Sequence, residues 1–233
     1  MQVERWDRVV RYGRSGLPLI YLPTSGGDET EFERYGMHRD CARWIDSGRL
    51  QVFSVDACGP RGLFNDALPP PERMRVYVEF ERWAVGALLP AVEACAPGAA
   101  IEVVGASYGA FAAANLLLKY PGRVALACGL GGVYEMHHRL EGYRGDEVYF
   151  HTPLDYLPGL RDPVLLESIR ATEGFWLFAA AADPWLAETQ ALAARLRDKA
   201  LPHRLEVWPA PAAHHETWWK RQLRAFLERR HGA

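Results

Sequence analysis

Lysine is nearly missing from this chain: three of its 27 basic residues are lysine (Lys119, Lys199, Lys220) and the other 24 are arginine. The arginines are scattered, no dense basic run forms, and the formal net charge is −2. That balance excludes the electrostatic footprint of a nucleic-acid-binding protein and of a polybasic membrane anchor. Long apolar runs are also missing, since no stretch reaches the roughly 18–20 residues that a membrane-spanning helix needs. Residues 1–16 are charged throughout and lack the apolar centre of a secretory signal. Cysteine is scarce, and Cys41, Cys58, Cys95 and Cys128 show no C-x-x-C spacing, so they read as small hydrophobic residues rather than redox or metal ligands. Repeats and low-complexity tracts are absent. These absences point to a reduced, cytoplasmic protein with neither nucleic-acid nor membrane partners.

What remains is an ordinary folding composition. The chain has 233 residues, 49% hydrophobic and 24% charged, enough for one larger α/β domain over residues 1–233. Short apolar runs recur at 17–23, 50–57, 101–106, 123–130, 175–182 and 203–209, the form expected of strands buried on both faces of a mainly parallel sheet. Amphipathic stretches lie between them. Val76, Phe80, Trp83, Ala84, Ala87 and Leu88 share one helix face within 72–92, and residues 185–198 and 216–229 carry similar stripes. Strands alternating with helices predict right-handed β-α-β crossovers. Residues 131–165 break the rhythm: they are turn-rich, aromatic and weakly periodic, as in a functional excursion or a set of short helices. The Pro-rich segment 66–74 leads into the long helix.

Gly105-Ala106-Ser107-Tyr108-Gly109 is a G-x-S-x-G that follows an apolar strand and opens a helical run. The string alone is weak, but strand–turn–helix is the setting a nucleophile elbow requires. The competing reading is a glycine-rich turn in which Ser107 merely caps a helix. A serine nucleophile needs a general base oriented by an acid, and on this kind of sheet they follow in the order Ser, Asp or Glu, His. Asp183 directly ends a predicted strand, and Pro184 keeps it out of helical geometry. The same Asp-Pro pair also suits a helix N-cap, and local sequence does not separate the two. Asp155, Asp162 and Asp198 end no predicted strand.

His214 and His215 follow the last strand, and spacing does not choose between them; one should face the serine while the other caps the last helix or meets solvent. Neither this pair nor His137-His138 has the spacing of a metal site, and His203 falls at the wrong end of a strand. No cofactor or metal is expected. Oxyanion donors should be the Tyr108 amide and an amide from the small-residue loop Thr24-Ser25-Gly26-Gly27, a segment that also reads as a plain turn.

With these residues in place, the chain resembles the esterase family of α/β-hydrolases that includes S-formylglutathione hydrolase, feruloyl esterases and mycolyltransferases. The likeness spans roughly residues 15–230 and is carried by YLPTSGG (21–27), GASYGAFAAANLLLKYP (105–121), DPWL (183–186) and HHETWWKRQLRAFL (214–227). The resemblance implies the α/β-hydrolase fold, with a mainly parallel central sheet, helices on both faces and no large lid domain. Within that family the chain most resembles the small, unspecialised bacterial esterase-like proteins, whose ends resemble H-D-W-x-x-W-[KR]-x-x-L. Aligning Trp219, Lys220 and Leu223 on that ending places the catalytic histidine on His214, with His215 where the family has aspartate. Ala213 and Glu216 depart from the glycine and tryptophan found there in relatives. The resemblance also favours Asp183 as the acid and the Ser25 amide as the second oxyanion donor, with Gly26 next. It implies a serine esterase acting on small-molecule carboxylic esters or thioesters. Acyl transfer through the same acyl-enzyme and a non-catalytic binding protein of the same fold are the alternatives. The 131–165 segment is expected to overhang the site, with Gly26, Tyr134, Tyr149 and His151 as wall residues.

Overall fold

In the computed structural model, which describes residues 1–232, the chain opens with β1 (Val3–Trp6) and β2 (Val9–Tyr12), an antiparallel hairpin. The six apolar runs follow as β3 (Leu17–Leu22), β4 (Leu50–Val55), β5 (Ile101–Ala106), β6 (Val124–Leu130), β7 (Gly174–Ala180) and β8 (His203–Trp208). All eight join one sheet in the order β1-β2-β4-β3-β5-β6-β7-β8, with β2 antiparallel to β4 and every pair from β4 to β8 parallel. The hairpin is hard to see in the sequence because its inner strand is buried along its whole length, arginine included. Arg11 is 9% exposed and sends its guanidinium to Gln51 Oε1 at 2.7 Å.

Burial on both faces holds for the central strands and fails at β8. This strand closes the sheet, and Leu205 and Val207 stay exposed; Arg204 and Glu206 place charge along that edge.

Alternate strand residues serve two cores. Ile20, Leu22 and Val103 face one side, where they meet α4 (Pro70–Trp83), α5 (Leu89–Cys95), α6 (Tyr108–Lys119), α9 (Pro163–Arg170) and α10 (Leu186–Asp198). Leu19, Tyr21 and Val104 face the other, against α1 (Glu31–Arg34), α2 (Met37–Asp40), α3 (Ala42–Asp46) and α11 (Glu216–His231). The single helix expected over 72–92 is interrupted: α4 and α5 are joined by a π turn over Ala84–Leu88. Pro90 explains the break, since it has no N–H to donate to residue 86 and its ring crowds that carbonyl.

The 131–165 segment contains a 3₁₀ turn (His137–Arg139), α7 (Asp146–Tyr149) and α8 (Pro153–Gly159) before α9. It is mostly the β6–β7 crossover itself. Parallel strands oblige it to descend the full height of the sheet, and it does so along α4, α6 and α10.

Candidate active site

β5 ends at Ala106 and α6 begins at Tyr108, so Ser107 alone reverses the chain. Its backbone sits at φ 52° and ψ −115°, a region L-residues rarely occupy. Packing holds it there. A Cβ on Gly105 would lie 2.1 Å from the Gly109 carbonyl, and one on Gly109 would lie 2.1 Å from Leu22 O, so both flanking glycines are needed for the helix to close onto the sheet. The Ser107 N–H donates to Leu130 O at 3.0 Å, and Val133 N–H donates to Ser107 O at 3.2 Å, tying the elbow to the end of β6.

Ser107 Oγ lies 3.0 Å from His214 Nε2. On the far side of the ring, His214 Nδ1 lies 3.0 Å from Asp183 Oδ2 and 3.2 Å from Oδ1. This geometry fits the tautomer with its proton on Nδ1, donating to the carboxylate, and with Nε2 free to accept the serine proton. The imidazole also stands edge-on to Trp219, 4.9 Å between ring centroids.

Asp183 follows β7, with its side chain 1% exposed. Its Oδ1 accepts the Trp185 N–H at 2.9 Å and its carbonyl accepts the Leu186 N–H at 3.1 Å. The N-cap of α10 falls on Trp185 rather than on Asp183, and the Asp183 carboxylate meets both the Trp185 amide of the turn and the His214 ring. His215 turns away to cap α11, where its Nδ1 accepts the Thr217 N–H at 3.3 Å and its Nε2 meets Glu216 at 2.9 Å.

Tyr108 holds the first position of α6, where the amide has no partner four residues back. Its ring is buried, and its hydroxyl donates to Ala57 O at 3.1 Å. The Thr24–Gly27 loop lies against the same corner. A Cβ on Gly59 would lie 2.7 Å from Ser25 O and 3.3 Å from the Tyr108 ring. Ser25 is half-buried, while Gly26 is exposed and has nothing within 4 Å of where its Cβ would stand.

The three aromatic wall residues expected from 131–165 are placed elsewhere. Tyr134 is fully buried in the core, edge-on to Phe175 with 5.8 Å between centroids. His151 sits between Tyr77 and Glu81, and its carbonyl accepts from Asn115 Nδ2 at 2.8 Å; burial lowers its pKa. Asn115 and Lys119 lie roughly 12–18 Å along α6 from Ser107 at 1.5 Å per residue, so His151 flanks the helix well below the site. Tyr149 is 41% exposed on that same flank, beside Leu118 and Lys119. For Tyr149 and His151 the cause is the descending crossover, which carries them away from the carboxyl edge; Tyr134 stays near that edge but turns its ring into the core.

The part of the segment that does stay near the triad is its beginning. Gly131 stands beside Asp183 and Trp219, and His138 stacks on Trp185 at 5.0 Å. Glu188 of α10 pins this stretch by accepting the Tyr134 and Glu135 N–H groups at 2.7 and 2.9 Å. Burial, partly offset by these two bonds, pushes its pKa up to about 6. Among the described residues no group of three His, Cys, Asp or Glu side chains is arranged to hold a metal ion.

No protein-family model matches the sequence, and no curated protein matches it. Solved structures do. A ferulic acid esterase superposes with a TM-score of 0.72 at 15% identity, covering 94% of this chain and 89% of its own. An S-formylglutathione hydrolase from Agrobacterium tumefaciens gives 0.70 at 14%, covering 97% and 92%. The substrate-bound fluorophosphonate-binding serine hydrolase F of Staphylococcus aureus gives 0.60 at 14%, covering 94% and 90%. The chain has the α/β-hydrolase fold. On that fold, Ser107, Asp183 and His214 all stand where parallel strands β5, β7 and β8 run out, the edge at which open α/β sheets place ligands.

Proposed function

We propose that this α/β-hydrolase-fold protein is a serine esterase that cleaves small-molecule carboxylic esters or thioesters through an acyl-enzyme. The observation that carries the reading is the unbroken line from Ser107 Oγ to His214 Nε2 and from His214 Nδ1 to Asp183, built on a backbone-strained elbow.

Ser107 Oγ attacks the ester carbonyl carbon while its proton passes to His214 Nε2. Asp183, dry and already bonded to the Trp185 amide, fixes the imidazole tautomer and stabilises the imidazolium that forms. The carbonyl oxygen, now negative, is received by the Tyr108 and Ser25 amides. When the tetrahedral intermediate collapses, the bond to the leaving alcohol or thiol breaks and His214 returns its proton to that leaving group. Water then enters, gives its proton to His214, and attacks the acyl carbon; the acid leaves and Ser107 is restored. Each turnover consumes one ester and one water, with no cofactor.

Support also comes from the fold neighbours, which include proteins described as esterases and serine hydrolases. The test is steady-state hydrolysis of a series of p-nitrophenyl esters and an acyl thioester, by the wild type and by Ser107→Ala. The expected result is turnover by the wild type, with loss of about 10⁶ in kcat on removing the nucleophile. Equal rates for the two proteins would remove the proposal.

A further inference from the structure

Glu31 is the first residue of α1, and by sequence it looks like an ordinary acidic residue at a helix start. In the fold it is fully buried. Its carboxylate accepts the Tyr21 hydroxyl at 2.9 Å, the Thr24 N–H at 2.9 Å and the Thr24 hydroxyl at 2.5 Å. No Arg, Lys or His among the described residues lies within ion-pair distance of it; Arg34, the cation on its own helix, is 4.0 Å from Asp28 instead. Burial raises its pKa, and the three donors offset that only in part. A protein with 24 arginines has placed a carboxylate in its interior and served it only with neutral donors. Burying an acid this way is costly, so the arrangement calls for a role.

The donors show where the carboxylate acts, because two of the three belong to Thr24, the residue before Ser25. The loop is wrapped on it closely enough that a Cβ at Gly27 would lie 2.1 Å from Glu31 Oε2. Gly27 N–H in turn donates to Thr24 O at 3.0 Å. A trans peptide is planar, so once the Thr24 carbonyl is held, the Ser25 N–H must point the opposite way along the same plane. The next peptide is fixed as well, since Ser25 O packs on Gly59.

We propose that Glu31 is a positioning residue for the oxyanion hole: through Thr24 and the Gly27 turn it sets the direction of the Ser25 N–H. This rests on the esterase reading and on Ser25 as the second donor. Glu31 touches no reacting atom. It acts by fixing the loop before substrate arrives, so the amide need not reorganise as charge develops on the carbonyl oxygen.

The experiment uses Glu31→Gln, Glu31→Ala and Thr24→Val in the full chain, with active sites counted by stoichiometric fluorophosphonate labelling so that unfolded protein does not enter the rates. Three quantities are read: kcat and KM for an activated ester, the affinity for an aryl boronic acid that forms an anionic tetrahedral adduct on Ser107, and Tm. Glu31→Ala is expected to lose about 10²–10³ in kcat, the cost of one oxyanion donor, with KM changed by less than about fivefold. Boronate affinity should fall in step with kcat. Glu31→Gln keeps an acceptor for the Thr24 amide and should retain activity within about tenfold of wild type. Thr24→Val, which removes one donor but leaves the acid, should fall between them and serves if Glu31→Ala does not fold. A lower Tm with unchanged kcat and boronate affinity per titrated site would make Glu31 purely structural and overturn the inference, leaving the esterase reading intact. A wild type that neither turns over ester nor takes the label would overturn both.

Discussion

Buried acids of the sheet meet two kinds of partner: Glu102 at the amino end takes a guanidinium, as does Asp56 after β4, whereas Asp183 and Glu31 at the carboxyl end do not. At the amino end of β5, Glu102 is 1% exposed and is met by Arg230 at 2.7 Å and His231 at 3.3 Å, both from the last turn of α11. At the carboxyl end, Asp183 and Glu31 are as deeply buried, yet their partners are an imidazole, backbone amides and hydroxyls. A fixed guanidinium neutralises a carboxylate and ties one element to another. A carboxylate met by neutral donors instead fixes the direction of the groups that bond to it. On the proposed esterase function, Asp183 and Glu31 hold His214 and the Ser25 loop in a fixed direction, whereas Arg230 and His231 tie α11 to β5.

Changes at the carboxyl end should therefore alter rate more than stability, and changes at the amino end the reverse. The largest effect is expected from Ser107→Ala, about 10⁶ in kcat with little change in Tm. Asp183→Asn follows at about 10⁴, because an amide in place of the carboxylate favours the wrong imidazole tautomer. Both are read by steady-state kinetics beside thermal melts; near-normal turnover in Asp183→Asn would remove that residue as the acid. At the amino end, Arg230→Met leaves Glu102 with His231 alone and should cost about 3 kcal/mol of stability, the lower end for breaking a buried pair. Its kcat per titrated site should stay within about twofold of wild type. A rate loss there that matched the stability loss would dissolve the contrast between the two ends.

The smallest effect concerns Glu188. Its pKa is higher in the folded chain, at about 6, than the ordinary carboxylate value. The native state therefore holds the proton more tightly than the unfolded state does, and the stability tied to this group declines as pH rises from about 4.5 to about 6. Glu188→Gln keeps a carbonyl acceptor for the Tyr134 and Glu135 amides and cannot ionise. It should remove that slope and gain of order 1 kcal/mol at pH 7 relative to wild type. Denaturant melts of both proteins from pH 4 to pH 7 would show it, and parallel curves would contradict it.

Much of this can be read from the chain itself. Strands β3 to β8 are apolar enough to stand out, and an apolar strand, Ser107 and a helical run in direct succession mark the elbow. Asp183 is ambiguous in the sequence for a sound reason, since a carboxylate one residue before a proline satisfies both a turn and a partner across space. His214 and His215 are equivalent in spacing; their difference lies in the extended backbone at His215, φ −157° and ψ 150°, which turns it outward as a helix cap. The outer hairpin is hidden because Arg11 is buried by its bond to Gln51 rather than by apolarity. Tyr149 and His151 mislead because aromatic content says nothing about height on the sheet, whereas the crossover's obligation to descend does; Tyr134 misleads because nothing local shows that its ring turns into the core. Glu31 leaves no local mark at all: its role depends on Tyr21 and Thr24 arriving from the preceding strand and loop.

Activation of Ser107 by His214 is read out by reaction with a fluorophosphonate probe, with intact mass and mapping of the modified peptide in the wild type, His214→Ala and His215→Ala. A single adduct on Ser107 is expected, lost in His214→Ala and retained in His215→Ala. Well-folded wild-type protein that takes no label, or labelling that depends on His215 instead, would contradict activation by His214.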